Sequence, residues 1–512
     1  MVIREAIANV RNWIRRYEPL PQTVIDEYNL SRKWGERNHL CYAPNSSMFI
    51  NTLGMVRPCY ANFKDERYPD KSLKEIWLGK AFNEVRKCVG KNDLSGPCEF
   101  CNASIKNKNY ESSLAQKYDN PILVEEDRPN QRNGIFPKII EFELSNSCNL
   151  ECVMCDGNLS SAIRKNREKR APLPNIYGDS FLEELKEFIP HLRVAEFAGG
   201  SPFLIAIYYK IWEMLLADNP ACNILITTSA NIMNKKVKAL LERGKFNFNI
   251  SIDALSRETY EKIRVNANLE ETLTNIEVFN AHCNDKGTNL CLLVCPMRIN
   301  YQELPKLVKY ANQLNVQVHF HTVFKPQHLA LWSLPPKELK SILQYLKKFT
   351  FEDATEFQKM NSGKYINLID QIKVWHEKAC IREKEEERRE QSLVHNIDKS
   401  KNHFRKKLAG FIRSRNGLRE QGIAGKIDSL NQRLEGIMST LPELVSPEII
   451  YLELAKYKIE EVVQTLEEAD DVILREKAKR IYTGLYENLR DNRYSVKYAD
   501  DNGKYQLNME YK

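Results

Sequence analysis

Between Lys138 and Val323 six apolar runs alternate with amphipathic segments, a pattern that leaves few folds open. "KIIEFELS" (138–145), "VAEFAGG" (194–200), "CNILITTS" (222–229), "FNFNISID" (246–253), "LCLLVCPM" (290–297) and "VQVHFHTV" (316–323) read as buried strands. "SFLEELKEFIPHL", "IAIYYKIWEMLLA", "NKKVKALLERG" and "YQELPKLVKYANQL" carry apolar residues at three- and four-residue spacing and read as helices between them. Regular alternation implies parallel strands joined by right-handed crossovers, and six such units predict an α/β partial (βα)6 barrel. Chemistry then belongs beyond the carboxyl ends of the strands. A chain of 512 residues exceeds one core, so further domains are expected on either side.

The first strand runs straight into "SNSCNLECVMCDG", where Cys148, Cys152 and Cys155 stand within eight residues and no further cysteine follows until Cys222. Thirteen cysteines form an odd set in a large chain, which favours reduced thiols and metal ligation over a disulfide framework. Structural zinc closes with four ligands and more often uses paired CxxC units, so a zinc site here needs a distant fourth ligand. The Cys-x3-Cys-x2-Cys spacing after a strand resembles the radical SAM superfamily, over about two hundred residues. The resemblance implies a 4Fe-4S cluster whose fourth iron, left without a protein ligand, binds S-adenosylmethionine. It also implies reductive cleavage of that cofactor to a 5'-deoxyadenosyl radical that abstracts hydrogen from a substrate, with an electron donor such as flavodoxin or ferredoxin.

The same resemblance assigns cofactor contacts. Gly199 and Gly200 of "AGGSP" end the second strand, where backbone without side chains can approach the methionine moiety. The family usually has glutamate after the glycines to meet the methionine ammonium; this chain has Ser201, which can accept a hydrogen bond without supplying charge. "TTSAN" (227–231) resembles the ribose-contacting region and brings in Ser229 and Asn231. In "SIDALSRETYEKIR", Ser251 and Asp253 lie at the fourth strand's end, and Arg264 is a candidate for the cofactor carboxylate, against the alternative of a solvated helix residue. Met154 occupies a position whose backbone would read the adenine edge. Cys295, near the end of the fifth strand, is a candidate hydrogen-atom donor or a packing thiol, and His319 and His321 are candidate substrate contacts or core histidines.

A second cysteine set lies upstream, in a stretch that does not read as part of the sheet. Twelve residues separate Cys41 from Gly54, four more separate Gly54 from Cys59, then "SLKEIW" opens an amphipathic helix and Cys98 and Cys101 follow as CxxC. This resembles the twitch or SPASM auxiliary-cluster module of radical SAM enzymes, placed before the barrel where most relatives carry it after. One auxiliary 4Fe-4S cluster on Cys41, Cys59, Cys98 and Cys101 is implied. A zinc ribbon on the same four residues is the alternative, because spacing does not separate the metals. Cys88 reads as a buried thiol on the helix, and Cys222, Cys283, Cys291 and Cys380 as small core residues.

The expected order is an amphipathic helical segment (1–37), an auxiliary cluster domain (38–115), a linker (116–136), the radical SAM barrel (137–345) and a helical C-terminal region (346–512). From Lys399 to Lys426 nine basic residues stand against the single acid Glu420, a run that would suit an anionic or protein partner or simply a solvated helix face. No apolar run reaches the roughly 18 to 20 residues that span a bilayer, and the N-terminus lacks a secretory signal pattern, so the expected setting is cytoplasmic. Two functions follow. One is a radical SAM enzyme acting on a peptide, protein or small polar molecule; the other is an iron-sulfur binding or redox-sensing protein whose basic helix contacts nucleic acid or an acidic partner.

Overall fold

The computed structural model describes residues 20–413 apart from 35–37, 63, 109, 111–112 and 121–135, with side chains described as far as Arg388. The first nineteen residues, most of the expected linker and residues 414–512 therefore lie outside the description, as do the side chains of the basic run 399–426. The residues form one compact unit through Arg388, and those from Arg389 belong to a second.

Six strands fall where the alternation predicts them. They are β4 (Ile139–Phe142), β5 (Val194–Phe197), β6 (Asn223–Thr228), β7 (Phe246–Ser251), β8 (Leu290–Val294) and β9 (Gln317–Phe320), all parallel and adjacent in chain order. This is the sheet of a partial (βα)6 barrel. Burial alternates along β5, β6, β7 and β8, whereas β4 is buried throughout. Phe142, Phe197, Ile226, Phe248, Leu292 and Val318 are buried against the covering helices, whereas Glu143, Thr227, Asn249, Ser251, Cys291 and His319 on the other face stay partly accessible. Cys291, expected in the core, thus stands on the polar face, because strand parity and not thiol burial preference sets its side.

The upstream cysteine segment departs from the expectation. Its short strands β1 (Ser47–Ile50), β2 (Met55–Arg57) and β3 (Glu66–Arg67) extend the same sheet, giving the order β3-β2-β1-β4 and onward. β1 runs parallel to β4 with Met48 opposite Ile140, and β2 and β3 follow antiparallel. The hairpin turns at Gly54, whose φ of +81° places it in the left-handed region; a Cβ there would stand 2.3 Å from the Tyr68 carbonyl oxygen. "SLKEIW" becomes a short helix, α3 (Leu73–Trp77; α1 and α2 being Gln22–Leu30 and Ala43–Ser46), with a complete capping box between Ser72 and Glu75. A second helix, α4 (Lys80–Val89), starts after Gly79, so one expected helix is two.

Two cores result. Met48, Ile50, Val56, Trp77 and Phe82 join the large core of the parallel sheet. Leu20, Ile25, Tyr28, Val85, Val89, Ile105 and Tyr118 form a smaller one around Cys41, Cys59 and Cys101. A long helix over Glu356–Arg413 follows the sheet. Asn361 near its start accepts from the Val318 backbone N–H at 2.8 Å and donates to the Val316 carbonyl at 2.9 Å, satisfying the exposed edge of β9.

Candidate functional site

The cysteine loop leaves the end of β4 and is held on three sides. Its backbone pairs with the segment after the fourth strand, Glu151 N–H donating to Val265 O at 3.0 Å and Val153 N–H to Ile263 O at 2.9 Å. Ser161 Oγ accepts from Cys148 N–H at 3.1 Å, and Asn146 Nδ2 donates to Gly157 O at 2.9 Å. Arg167, which the sequence did not single out, donates to the carbonyl oxygens of Cys155 at 3.0 Å and Cys152 at 3.4 Å. The result gathers three half-buried thiols, each of which feels the charge of its neighbours. Burial pushes all three up, Cys155 to about 12, while the Arg264 guanidinium pulls Cys148 and Cys152 the other way. Crowded, partly desolvated thiols of this kind become thiolates when a metal takes their protons' place.

The glycine pair lets two stretches of backbone meet. Gly199 adopts φ +98°, and a Cβ there would meet Ser145 O at 2.8 Å; one on Gly200 would meet Ser147 O at 2.3 Å. Gly200 N–H donates to Ser145 O at 3.0 Å and Ser201 N–H to Ser147 O at 2.7 Å. The pair therefore admits the chain that leads into Cys148, which passes against it backbone to backbone. Gly200→Ala should displace that chain and cost about 1–3 kcal/mol, the range for overpacked sites, read as a lower thermal midpoint of the iron-free protein. An unchanged midpoint would show that the loop yields freely.

Ser201 is 1% exposed and its Oγ, buried, has no hydrogen-bond partner. A buried hydroxyl without a partner is costly, and this one stands beside the loop where the resemblance expects an ammonium group. Ser201→Ala should leave the stability of the free protein unchanged or slightly raised, while S-adenosylmethionine binds several-fold more weakly by calorimetry. Unchanged affinity would remove the residue from the site.

The third strand's end reaches the same loop: Ser229 Oγ donates to Asn231 Oδ1 at 2.6 Å, and Asn231 Nδ2 donates to Asn149 Oδ1 at 2.9 Å. Ser251 ends β7 on the polar face. Asp253 is fully buried, and Arg264 is not a solvated helix residue but lies buried against it, Nη2 to Oδ2 at 2.7 Å. Met154 and Cys295 share a small apolar cluster with Ile263, Met297 and Leu329. Cys295 N–H donates to Asp253 Oδ1 at 2.8 Å, and burial, then the Asp253 carboxylate, pushes its thiol up. His319 and His321 stand with ring centroids 4.8 Å apart, and burial lowers both, His319 to about 4, so both are neutral near pH 7.

The upstream set is as well assembled. Cys41, Cys59, Cys98 and Cys101 line one cavity with Leu94, Phe100, Leu114 and Tyr118. N–H groups point at the sulfurs: Asn62 Nδ2 donates to Cys98 Sγ at 3.3 Å and Ala43 N–H to Cys41 Sγ at 3.4 Å. Burial raises all four thiols, Cys59 to about 12. Among the described residues no three His, Cys, Asp or Glu side chains are placed to hold a single metal ion; four sulfurs lining one apolar cavity, with donors on two of them, are a donor set that suits a fully protein-ligated cluster. Tyr118 also faces the sheet, donating its hydroxyl to Glu141 Oε1 at 2.6 Å; Lys117 bridges Glu141 at 2.9 Å and Glu196 at 2.8 Å. On the polar face one step along β4, Glu143 is raised to about 7, first by burial and then by Glu141.

Comparison with known proteins agrees with this geometry. Residues 142–311 match the family model described as radical SAM superfamily, and residues 41–102 match that of an iron-sulfur cluster-binding domain, SPASM. Among curated proteins the chain is similar to a GTP 3',8-cyclase of Limosilactobacillus fermentum, 26% identical over 184 residues, covering 35% of this chain and 52% of that one. It is similar to another from Helicobacter pylori, 25% over 238 residues, covering 46% and 71%. An AdoMet-dependent heme synthase of Methanosarcina barkeri is 24% identical over 195 residues, covering 37% and 50%. The chain thus spans about half the length of two of these three relatives. Among solved structures, anSMEcpe with bound AdoMet matches at 18% identity and a TM-score of 0.31, covering 41% of this chain and 58% of that one. Streptococcus suis SuiB bound to its precursor peptide SuiA matches at 17% and 0.29, covering 54% and 57%. A radical SAM domain holds a 4Fe-4S cluster and S-adenosylmethionine, and the SPASM domain adds a further cluster. Residues 142–311 thus match a radical SAM domain, and an iron-sulfur cluster-binding domain matches ahead of it in sequence, at residues 41–102.

Proposed function

We propose that this enzyme acts on a polar substrate, a peptide or a small molecule, bound over the polar face of the parallel sheet between the two cysteine sites. The observation that carries this reading is the face itself, where Glu143, Thr227, Asn249, Ser251 and His319 alternate with buried apolar residues on adjoining strands. An apolar or membrane-embedded substrate would leave these groups unpaired, which is costly. Among the described residues no helix is long and apolar enough to cross a membrane.

Cys148, Cys152 and Cys155 would hold the cluster that takes S-adenosylmethionine, and Cys41, Cys59, Cys98 and Cys101 the auxiliary one. With S-adenosylmethionine and an electron from a donor such as flavodoxin or ferredoxin, the first of these would supply a 5'-deoxyadenosyl radical able to take hydrogen from an unactivated carbon. The chain's own residues do the rest. Gly199 and Gly200 fix the cysteine loop, Asn231 braces it through Asn149, and Ser201 offers a free hydroxyl beside it. Glu143 can hold or release a proton near pH 7 on the substrate face. Because its carboxyl is raised on folding, the ionised form weakens the fold. Stability should fall as pH rises from about 4.5 towards 7, and Glu143→Gln should abolish that part of the profile. A denaturation series unchanged by the substitution would place the titration elsewhere.

Among the relatives' names, GTP 3',8-cyclase and heme synthase speak for small molecules; the peptide-bound neighbour is too distant to weigh against them. The reading is tested by dividing an extract of cells lacking the gene into peptide, small-molecule and lipid fractions and adding each to the anaerobically reconstituted enzyme. One fraction should accelerate 5'-deoxyadenosine release above the substrate-free rate and show a mass change. Acceleration only by a lipid fraction would contradict it. The redox-sensing alternative rests on Ser201 in place of the usual glutamate and on the basic run 399–426, which lies outside the described side chains.

A further inference from the structure

We propose that Arg264 is a positioning residue for the cluster on the Cys148 loop, acting on the Cys152 sulfur while locked to Asp253, and is not the ligand of the cofactor's carboxylate. The inference rests on the radical SAM reading of that loop and goes beyond it. Arg264 lies at the end of the helix Arg257–Ile263, at the point where the chain turns to run beside the cysteine loop. Its neighbours Ile263 and Val265 accept the Val153 and Glu151 N–H groups, so the guanidinium is tied to the loop through its own backbone.

Both terminal nitrogens of the side chain are engaged, whereas Nε is buried without a hydrogen-bond partner. Nη2 stands 2.7 Å from Asp253 Oδ2, both groups being buried, and Nη1 reaches Cys152 Sγ at 3.9 Å. Asp253 is in turn fixed: Oδ1 accepts the Cys295 N–H at 2.8 Å, and Asn300 Nδ2 donates to the carbonyl oxygens of Asp253 at 2.9 Å and Cys295 at 3.0 Å. A guanidinium so held has its two terminal nitrogens turned to a carboxylate and a sulfur inside the protein. A cofactor carboxylate could take it only by breaking a buried ion pair, which leaves Asp253 with an uncompensated charge. The groups facing Arg264 are Asp253, Cys152, Tyr260 and Cys295, all of which favour its charged form. A fixed cation with an N–H directed at a ligating sulfur stabilises negative charge on that sulfur and on whatever metal it binds, and so favours the reduced cluster.

The test is a potentiometric titration of the reconstituted full chain by electron paramagnetic resonance, alongside calorimetric binding of S-adenosylmethionine, for the parent, Arg264→Lys and Arg264→Gln. Lysine keeps the charge and loses the fork. Glutamine loses both. The midpoint of the cluster on the Cys148 loop should fall to more negative values in the order parent, lysine, glutamine, with the auxiliary signal unmoved and cofactor affinity within about twofold of the parent in the lysine variant. Should Arg264→Gln fail to fold by circular dichroism, the lysine variant decides alone through the same two readings. An unmoved midpoint overturns the inference, as does a tenfold or greater loss of cofactor affinity at unmoved midpoint, which would return Arg264 to the carboxylate. A parent chain that takes up no cluster on Cys148, Cys152 and Cys155 would fail differently, by removing the radical SAM reading itself.

Discussion

Replacing Cys148, Cys152 and Cys155 together by alanine should remove about half of the iron from the reconstituted chain and all formation of 5'-deoxyadenosine. Two separate 4Fe-4S clusters amount to roughly eight irons, four to each cysteine set. The three thiols sit on one loop, held by backbone pairing to Ile263 and Val265 and by Arg167, so their loss empties that site without touching the cavity around Cys59. Iron is counted colorimetrically and the nucleoside by mass spectrometry. Retained cleavage of S-adenosylmethionine in the triple variant would overturn the assignment.

Replacing Cys98 and Cys101 by alanine should also cost about half of the iron, with the opposite outcome for the chemistry. Cleavage of S-adenosylmethionine should persist, because the cysteine loop is untouched, while conversion of substrate to product is lost. Metal loss can unfold a small domain, but this one has its own support. Tyr28, Val85, Val89, Ile105 and Tyr118 supply apolar packing around the sulfurs that the two substitutions leave in place, and β1 is paired along its length to β4. The far-ultraviolet spectrum should therefore change little. Zinc in place of iron at this site would contradict the auxiliary cluster while leaving the radical chemistry standing.

The parts of the fold legible in the sequence were those governed by periodicity. Strand runs such as Phe246–Ser251 alternate strictly, helices such as Leu304–Leu314 carry apolar residues at three- and four-residue spacing, and a parallel sheet in chain order follows from their succession. The cysteine sets were legible because metal ligation constrains spacing locally. Pairings between distant segments were not. Ser47–Ile50 is four residues long, and only its contact with Ile139–Phe142 makes it part of the sheet. The role of Gly199 and Gly200 depends on the chain at Ser145 and Ser147 passing within contact, more than fifty residues earlier. Arg264 reads from sequence as a cation for the cofactor carboxylate or for solvent, and its bond to Asp253 arises only once the helix between them folds the chain back. Arg167 and Asn62 hold the two cysteine sites through side-chain hydrogen bonds that leave no spacing pattern at all.

The most direct measurement is anaerobic incubation of the reconstituted protein with dithionite and S-adenosylmethionine, followed by quantification of 5'-deoxyadenosine and methionine. The structure predicts both products in equal amounts, dependent on the reductant and absent from the variant lacking Cys148, Cys152 and Cys155. An iron-replete protein that yields neither product, with or without extract fractions, would contradict the account.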